Sequence, residues 1–186
     1  MLSERFDDAL AYASSVHRTQ RRKGSNIPYV SHLLGVASLA LEIGADEDQA
    51  IAALLHDAVE DQGGLTRLAD IRARYGERVA DIVSDCTDSW EEPKPEWRER
   101  KEAYLASLSE KDPDSLLVSL ADKIHNAMSI NTDLAVHGSV VWDRFKGGRE
   151  GSLWYYSALA GAFDERFPGA AAKRLRGLVA EMHASA

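Results

Sequence analysis

Cysteine is almost missing from this chain: Cys86 stands alone among 186 residues. That excludes an internal disulfide and every cysteine-cluster metal site, and it fits a reducing compartment. Long apolar runs are missing too. No stretch approaches the ~18–20 unbroken apolar residues that cross a bilayer, and the opening MLSERFDDAL lacks the basic-then-apolar layout of a signal peptide. The chain is therefore expected in the cytoplasm, with no membrane partner. Positive charge is in deficit, with 22 Lys+Arg against 30 Asp+Glu and a formal net charge of −8. Tight, salt-driven binding to long nucleic acid is excluded on that balance, whereas a local basic patch for one small anion is not. Repeats, low-complexity tracts and linkers are absent as well. With 45% hydrophobic and 28% charged residues, the composition is that of a globular protein, and a single domain over 1–186 is expected.

Alternating strand patterns are also lacking, and what stands in their place is helical. Ile51, Leu54, Leu55, Ala58 and Val59 follow i, i+3, i+4, i+7, i+8, and Leu117, Leu120, Ile124 and Met128 do much the same. Punctuation by glycine and proline then places helices over about 3–19, 31–43, 47–60, 65–75, 77–87, 96–109, 113–136, 149–166 and 169–184. The predicted fold class is all-α.

The helix predicted over 47–60 carries more than a fold needs. Its apolar stripe centres near Ile51 and Ala58, while His56, Asp57, Glu60 and Asp61 gather on the opposite side. No Lys or Arg lies between Lys23 and Arg67, yet seven acids do: Glu42, Asp46, Glu47, Asp48, Asp57, Glu60 and Asp61. Like charges at i, i+4, here Asp57 and Asp61, cost stability without a nearby cation. Acids at a helix C-terminus also face its negative end, so the arrangement asks for a compensating function.

Two further segments offer matching donors. His32 sits in PYVSHLLGVA, and Asp122, Asn126 and Ser129 share one small polar stripe of SLADKIHNAMSINTD. His32, His56, Asp57 and Asp122 make a nitrogen and oxygen set suited to Mn²⁺, Fe²⁺ or Zn²⁺, and hence to metal-assisted hydrolysis. Glu60 and Asp61, one turn on, are placed to orient or deprotonate a water without binding the ion. In HRTQRRKG, Arg22 and Lys23 precede Gly24, where backbone can approach a phosphate closely. A second basic run, Arg144, Lys146 and Arg149, is followed by Trp154, Tyr155 and Tyr156, a mix that suits a nucleotide and equally suits a core.

Five ordered segments, HRTQRRKG, IPYVSH, AALLHDAVED, a TD followed by ERKEAYL, and SLADKIHNA, resemble the HD-domain metal-dependent phosphohydrolases. Within them the likeness is to the hydrolase domain of Rel/SpoT enzymes and to stand-alone small alarmone hydrolases. The resemblance implies an HD-type helical bundle around one divalent metal, usually manganese, with ligands mapping to His32, His56, Asp57 and Asp122. It implies Glu60 and Asp61 at the nucleophilic water, Arg22 and Lys23 beside the pyrophosphate or base, Asn126 and Ser129 near the ribose, and Tyr155 on the substrate, to which the second basic run adds Arg149.

The activity implied is removal of the 3′-pyrophosphate of guanosine tetra- or pentaphosphate, giving GDP or GTP and pyrophosphate. With 186 residues occupied by the hydrolase, no room is expected for a synthetase domain. Two departures stand out. Leu33 follows His32 where much of the family has proline, and DSWEEPKPEWRERK is longer and richer in Trp and Pro than the resemblance leads one to expect, which puts residues 89–100 at the substrate mouth. Another nucleotide, NADPH included, stays open as the substrate, as do a silent nucleotide-binding module and a homodimer.

Overall fold

A computed structural model describes residues 1–88, 93 and 95–185. Among them the chain forms α1 (Glu4–Val16), α2 (Val30–Glu42), α3 (Glu47–Leu55), α4 (Ala58–Gln62), α5 (Gly64–Tyr75) and α6 (Glu77–Cys86), then α7 (Trp97–Ser107) and α8 (Pro113–His137). A 3-10 turn, Gly138–Arg144, leads to α9 (Gly148–Arg166) and α10 (Ala170–Ser185). The described residues hold no strand, only a bridge between Arg21 and Pro28, so the fold is all-α. No described helix is long and apolar enough to cross a membrane.

Two helices organise the rest. α8 begins at Pro113, where the missing N–H costs nothing, and ends at Gly138, whose φ of +67° terminates the helix. Its length lets it pack against α2, α3, α6, α9 and α10 in turn. α3 opens on a capping box, in which Gln49 N donates to Asp46 Oδ1 at 3.0 Å and Asp46 N donates to Gln49 Oε1 at 2.8 Å. From Gln49 to Leu55 every residue of α3 is buried, so the helix is enclosed on all sides by α1, α2, α6 and α8. Ile51, Leu54 and Leu55 are fully buried and each contributes about 1.5–3 kcal/mol of transfer free energy.

The helix predicted over 47–60 is two helices. The chain turns at His56 and Asp57, where Asp57 has φ −96° and ψ −4° and α4 starts anew. The cause is tertiary: the Tyr29 hydroxyl donates to Asp57 Oδ2 at 2.6 Å, fixing that carboxylate toward α2. Glu60 and Asp61 consequently lie among the first-turn acids of the five-residue α4, rather than at the C-terminal end of one long helix. Likewise α1 stops at Val16 rather than near 19.

Gly24 is needed for a reason other than phosphate approach. Its φ is +73°, and a Cβ there would stand 2.5 Å from Arg144 Cδ, because the Arg144 stem lies across it. Gly24→Ala is therefore expected to lower unfolding free energy by about 1–2 kcal/mol, read by urea denaturation. It should also displace Arg144 from its 2.7 Å ion pair with Asp133.

Candidate metal centre

His32 stands in the first turn of α2, His56 and Asp57 in the α3–α4 turn, and Asp122 in the third turn of α8. Their side chains converge. His56 Nε2 lies 3.0 Å from Asp57 Oδ2 and 3.3 Å from His32 Nε2. His32 Nε2 lies 3.5 Å from Asp57 Oδ2 and 3.3 Å from Asp122 Oδ1, which is itself 3.6 Å from His56 Nε2. Ligands about 2.0–2.2 Å from a common ion stand roughly 3.0–3.6 Å apart at tetrahedral or octahedral angles, so the spacing of His32, His56 and Asp57 fits one divalent cation, with Asp122 at the same range from both imidazoles.

Donor chemistry makes the same case. His56 Nδ1 donates to Ala53 O at 2.9 Å, which turns Nε2 toward two carboxylates, an arrangement that needs a proton or a metal cation between them. Burial opposes a charge on His56, yet Asp57 and Asp122 outweigh it and hold its pKa well above the ordinary value. Burial would raise Asp57 and Asp122, but His56 and His32 on the first, and Lys123 with both imidazoles on the second, hold them well below the carboxylate range. The pocket demands positive charge.

The two acids of the α4 turn are each fixed from outside. Glu60 Oε2 accepts from Asp88 N at 3.3 Å, and Asp61 Oδ2 accepts from Gln20 Nε2 at 2.7 Å. Asp88 in turn binds Arg100 at 2.8 Å and Lys101 at 2.5 Å, so the TD and ERK segments meet beside Glu60.

A cavity of about 590 Å³ opens next to the cluster, reaching it at His32. Arg22, Lys23, Asn126, Ser129 and Tyr155 line it, whereas His56, Asp57, Glu60, Asp61 and Asp122 are not among its lining residues. Arg22 donates to Asn126 Oδ1 at 2.8 Å, and Asn126 Nδ2 donates to Asp122 Oδ1 at 2.5 Å, a chain from the basic run to the ligand cluster. Ser129 Oγ donates to His125 O at 2.9 Å.

Arg149 is placed elsewhere. It is exposed on the first turn of α9 and does not line the cavity. Gly147 and Gly151 turn toward the Trp97 ring, which a Cβ at either would meet at 2.6 and 3.0 Å. Arg144 lines the cavity instead. Residues 89–92 and 94 of the segment expected at the mouth lie outside the described residues, but Trp97, from its described end, lines the cavity.

Sequence reasoning passed over several lining residues. Lys101 and Lys123 add ammonium groups; burial and neighbouring Lys123 lower the first, while Asp122, against burial, holds the second well above its ordinary value. His125 meets His32, with 2.9 Å between the two Nδ1 atoms, and burial together with His32 and Arg22 pushes it down to about 4, so it is neutral. Its signal was present, since Asp122, His125, Asn126 and Ser129 share one stripe at i, i+3, i+4 and i+7.

An all-α chain that gathers two histidines and two aspartates beside a cationic cavity belongs to the class of helical metal-centre proteins. The family follows: residues 9–153 match the HD domain model, and the chain belongs to the HD domain family. It is 38% identical over 122 residues to the guanosine-3′,5′-bis(diphosphate) 3′-pyrophosphohydrolase MESH1 of Xenopus tropicalis, covering 64% of this chain and 65% of that protein. It is 35% identical over 129 residues to the guanosine-3′,5′-bis(diphosphate) 3′-pyrophosphohydrolase of Aquifex aeolicus, covering 69% of this chain and 18% of that much longer protein. A solved structure described as a metazoan ortholog of SpoT that hydrolyzes ppGpp and plays a role in starvation responses has a TM-score of 0.80 at 29% identity, covering 97% of each chain.

Proposed function

We propose that this protein is a metal-dependent hydrolase that removes the 3′-pyrophosphate of guanosine 3′,5′-bis(diphosphate) and of its pentaphosphate. The observation that carries the reading is the convergence of His32, His56 and Asp57, with Asp122 Oδ1 3.3 and 3.6 Å from the two imidazoles, beside a cavity lined by Arg22, Lys23, Lys101, Lys123 and Arg144. The relatives named for that activity support it.

His32, His56, Asp57 and Asp122 would hold one divalent ion, Mn²⁺ in the first place and Fe²⁺ or Zn²⁺ as alternatives. When bound, the ion supplies Lewis-acid chemistry, easing deprotonation of a water and polarising a phosphoryl oxygen. Glu60 and Asp61 orient that water and take its proton; each keeps one oxygen tied to a backbone or amide N–H, which sets its direction. Water oxygen bonds to phosphorus, the P–O3′ bond breaks, the 3′-oxygen acquires a proton, and GDP and pyrophosphate result.

The guanidinium and ammonium groups of the cavity neutralise charge on the phosphates. Asn126 and Ser129 face the sugar, and Tyr155, whose Oη is buried without a partner, closes the far wall. The contiguous hydrophobic core supports one HD unit over the described chain, acting in the cytoplasm on a small nucleotide.

Competition between substrates tests the reading. Guanosine tetraphosphate and NADPH, offered together with Mn²⁺, are expected to give GDP and pyrophosphate with NADPH untouched; orthophosphate from NADPH alone would transfer the function to that nucleotide. Arg22→Ala removes a charged donor worth about 1.5–3 kcal/mol, so kcat/KM should fall about 10–100-fold with metal content unchanged. Unaltered kinetics would return Arg22 to a structural role on Asn126.

A further inference from the structure

The site above leaves one question open: what holds the His32 ring in the plane its Nε2 requires. His32 is 1% exposed, and its Nε2 faces Asp57, Asp122 and His56. If Nε2 offers its lone pair to a cation, Nδ1 must carry the ring proton, and a buried N–H needs an acceptor. His125 Nδ1 stands 2.9 Å away, with the two rings edge to face at 61° and centroids 4.9 Å apart. His125 lies on α8 three residues after Asp122, so one helix carries both a donor of the cluster and the acceptor that meets another.

A second observation, on a different helix, points to the same pair. Gly35 lies in α2, three residues after His32, and a Cβ there would stand 2.2 Å from both Cδ2 and Nε2 of His125. Glycine inside a helix is disfavoured relative to alanine, yet any larger residue at this position would drive the imidazole off its seat. The α2–α8 packing thus has a slot at Gly35 whose occupant is the His125 ring.

We propose that His125 is the positioning residue of His32, seated by Gly35: it accepts the Nδ1 proton of His32, fixes the tautomer that presents the Nε2 lone pair, and does not itself ligate the ion. The inference rests on the reading of His32 as a metal ligand. It makes Gly35 part of the metal centre without contact to the ion.

The test is Mn²⁺ affinity, read from the electron paramagnetic resonance signal of free Mn²⁺ as metal is titrated into wild type, His125→Phe, His125→Leu, His125→Asn and Gly35→Ala. kcat and KM for guanosine tetraphosphate are measured alongside at saturating Mn²⁺. Loss of the acceptor in the Phe or Leu variant should raise the Mn²⁺ Kd about 10–100-fold, and Gly35→Ala should follow it. Asn, whose Oδ1 falls near the position of the lost Nδ1, should restore most of the affinity, with KM within about twofold of wild type.

Phe and Leu variants that fold and bind Mn²⁺ like wild type would overturn the proposal. So would a raised KM at unchanged metal affinity, which would make His125 a substrate contact. Should neither variant fold, Gly35→Ala binding Mn²⁺ as tightly as wild type overturns it equally. Wild type that binds no Mn²⁺ would instead overturn the hydrolase reading, and the inference with it.

Discussion

His56→Ala is expected to remove both metal and turnover. The imidazole is 2% exposed, is fixed by its bond to Ala53 O, and its Nε2 lies 3.0, 3.3 and 3.6 Å from the three other donors. Deleting it takes one ligand from four, leaves Asp57 without the group that most offsets its burial, and leaves Asp122 with Lys123 and His32. A metal centre contributes several kcal/mol to the barrier, so hydrolysis should fall by on the order of 10³-fold or more. Metal analysis of the purified variant should find no stoichiometric ion, and its melting temperature should no longer rise with added Mn²⁺. The metal-free variant should itself lose about 1–3 kcal/mol for the buried carboxylates left underpaired. A variant that keeps its metal and most of its rate would show that His56 is not a ligand.

Glu60→Gln separates proton handling from metal binding. Glutamine keeps an oxygen to accept from Asp88 N, as Glu60 Oε2 does at 3.3 Å, so the turn should stay in place while the carboxylate is lost. General acid–base groups contribute about 10²–10⁴-fold; kcat should drop within that range, with KM and Mn²⁺ content close to wild type. Loss of the ion along with the rate would make Glu60 a ligand instead. The contrast with His56→Ala is the point: one variant empties the site and the other leaves it loaded and slow.

The parts of this site legible from sequence are those set by local pattern. The stripe bearing Asp122, Asn126 and Ser129 is a regular helix face, and α8 begins and ends where Pro113 and Gly138 direct it. His32 and the His56–Asp57 pair were found as donor types and were brought together as expected. The break between α3 and α4 was not legible, because no glycine or proline marks it. Asp57 turns there to meet a hydroxyl from Tyr29, 28 residues earlier, and periodicity carries no trace of that bond. Gly24 and Gly35 illustrate the same limit. Each admits a side chain from a distant segment, Arg144 in one case and His125 in the other, and a glycine in sequence does not name its visitor. The basic run before Trp154 suggests Arg149 for the substrate, whereas it stands exposed on α9 outside the cavity lining.

The most direct test of the account is product stoichiometry. Purified protein is incubated with guanosine tetraphosphate and Mn²⁺, with an EDTA control, and nucleotide and phosphate products are resolved by ion-exchange chromatography. The account predicts GDP and pyrophosphate in equal amounts, formed with Mn²⁺ and absent with EDTA. Equal turnover in EDTA, or orthophosphate in place of pyrophosphate, would contradict it.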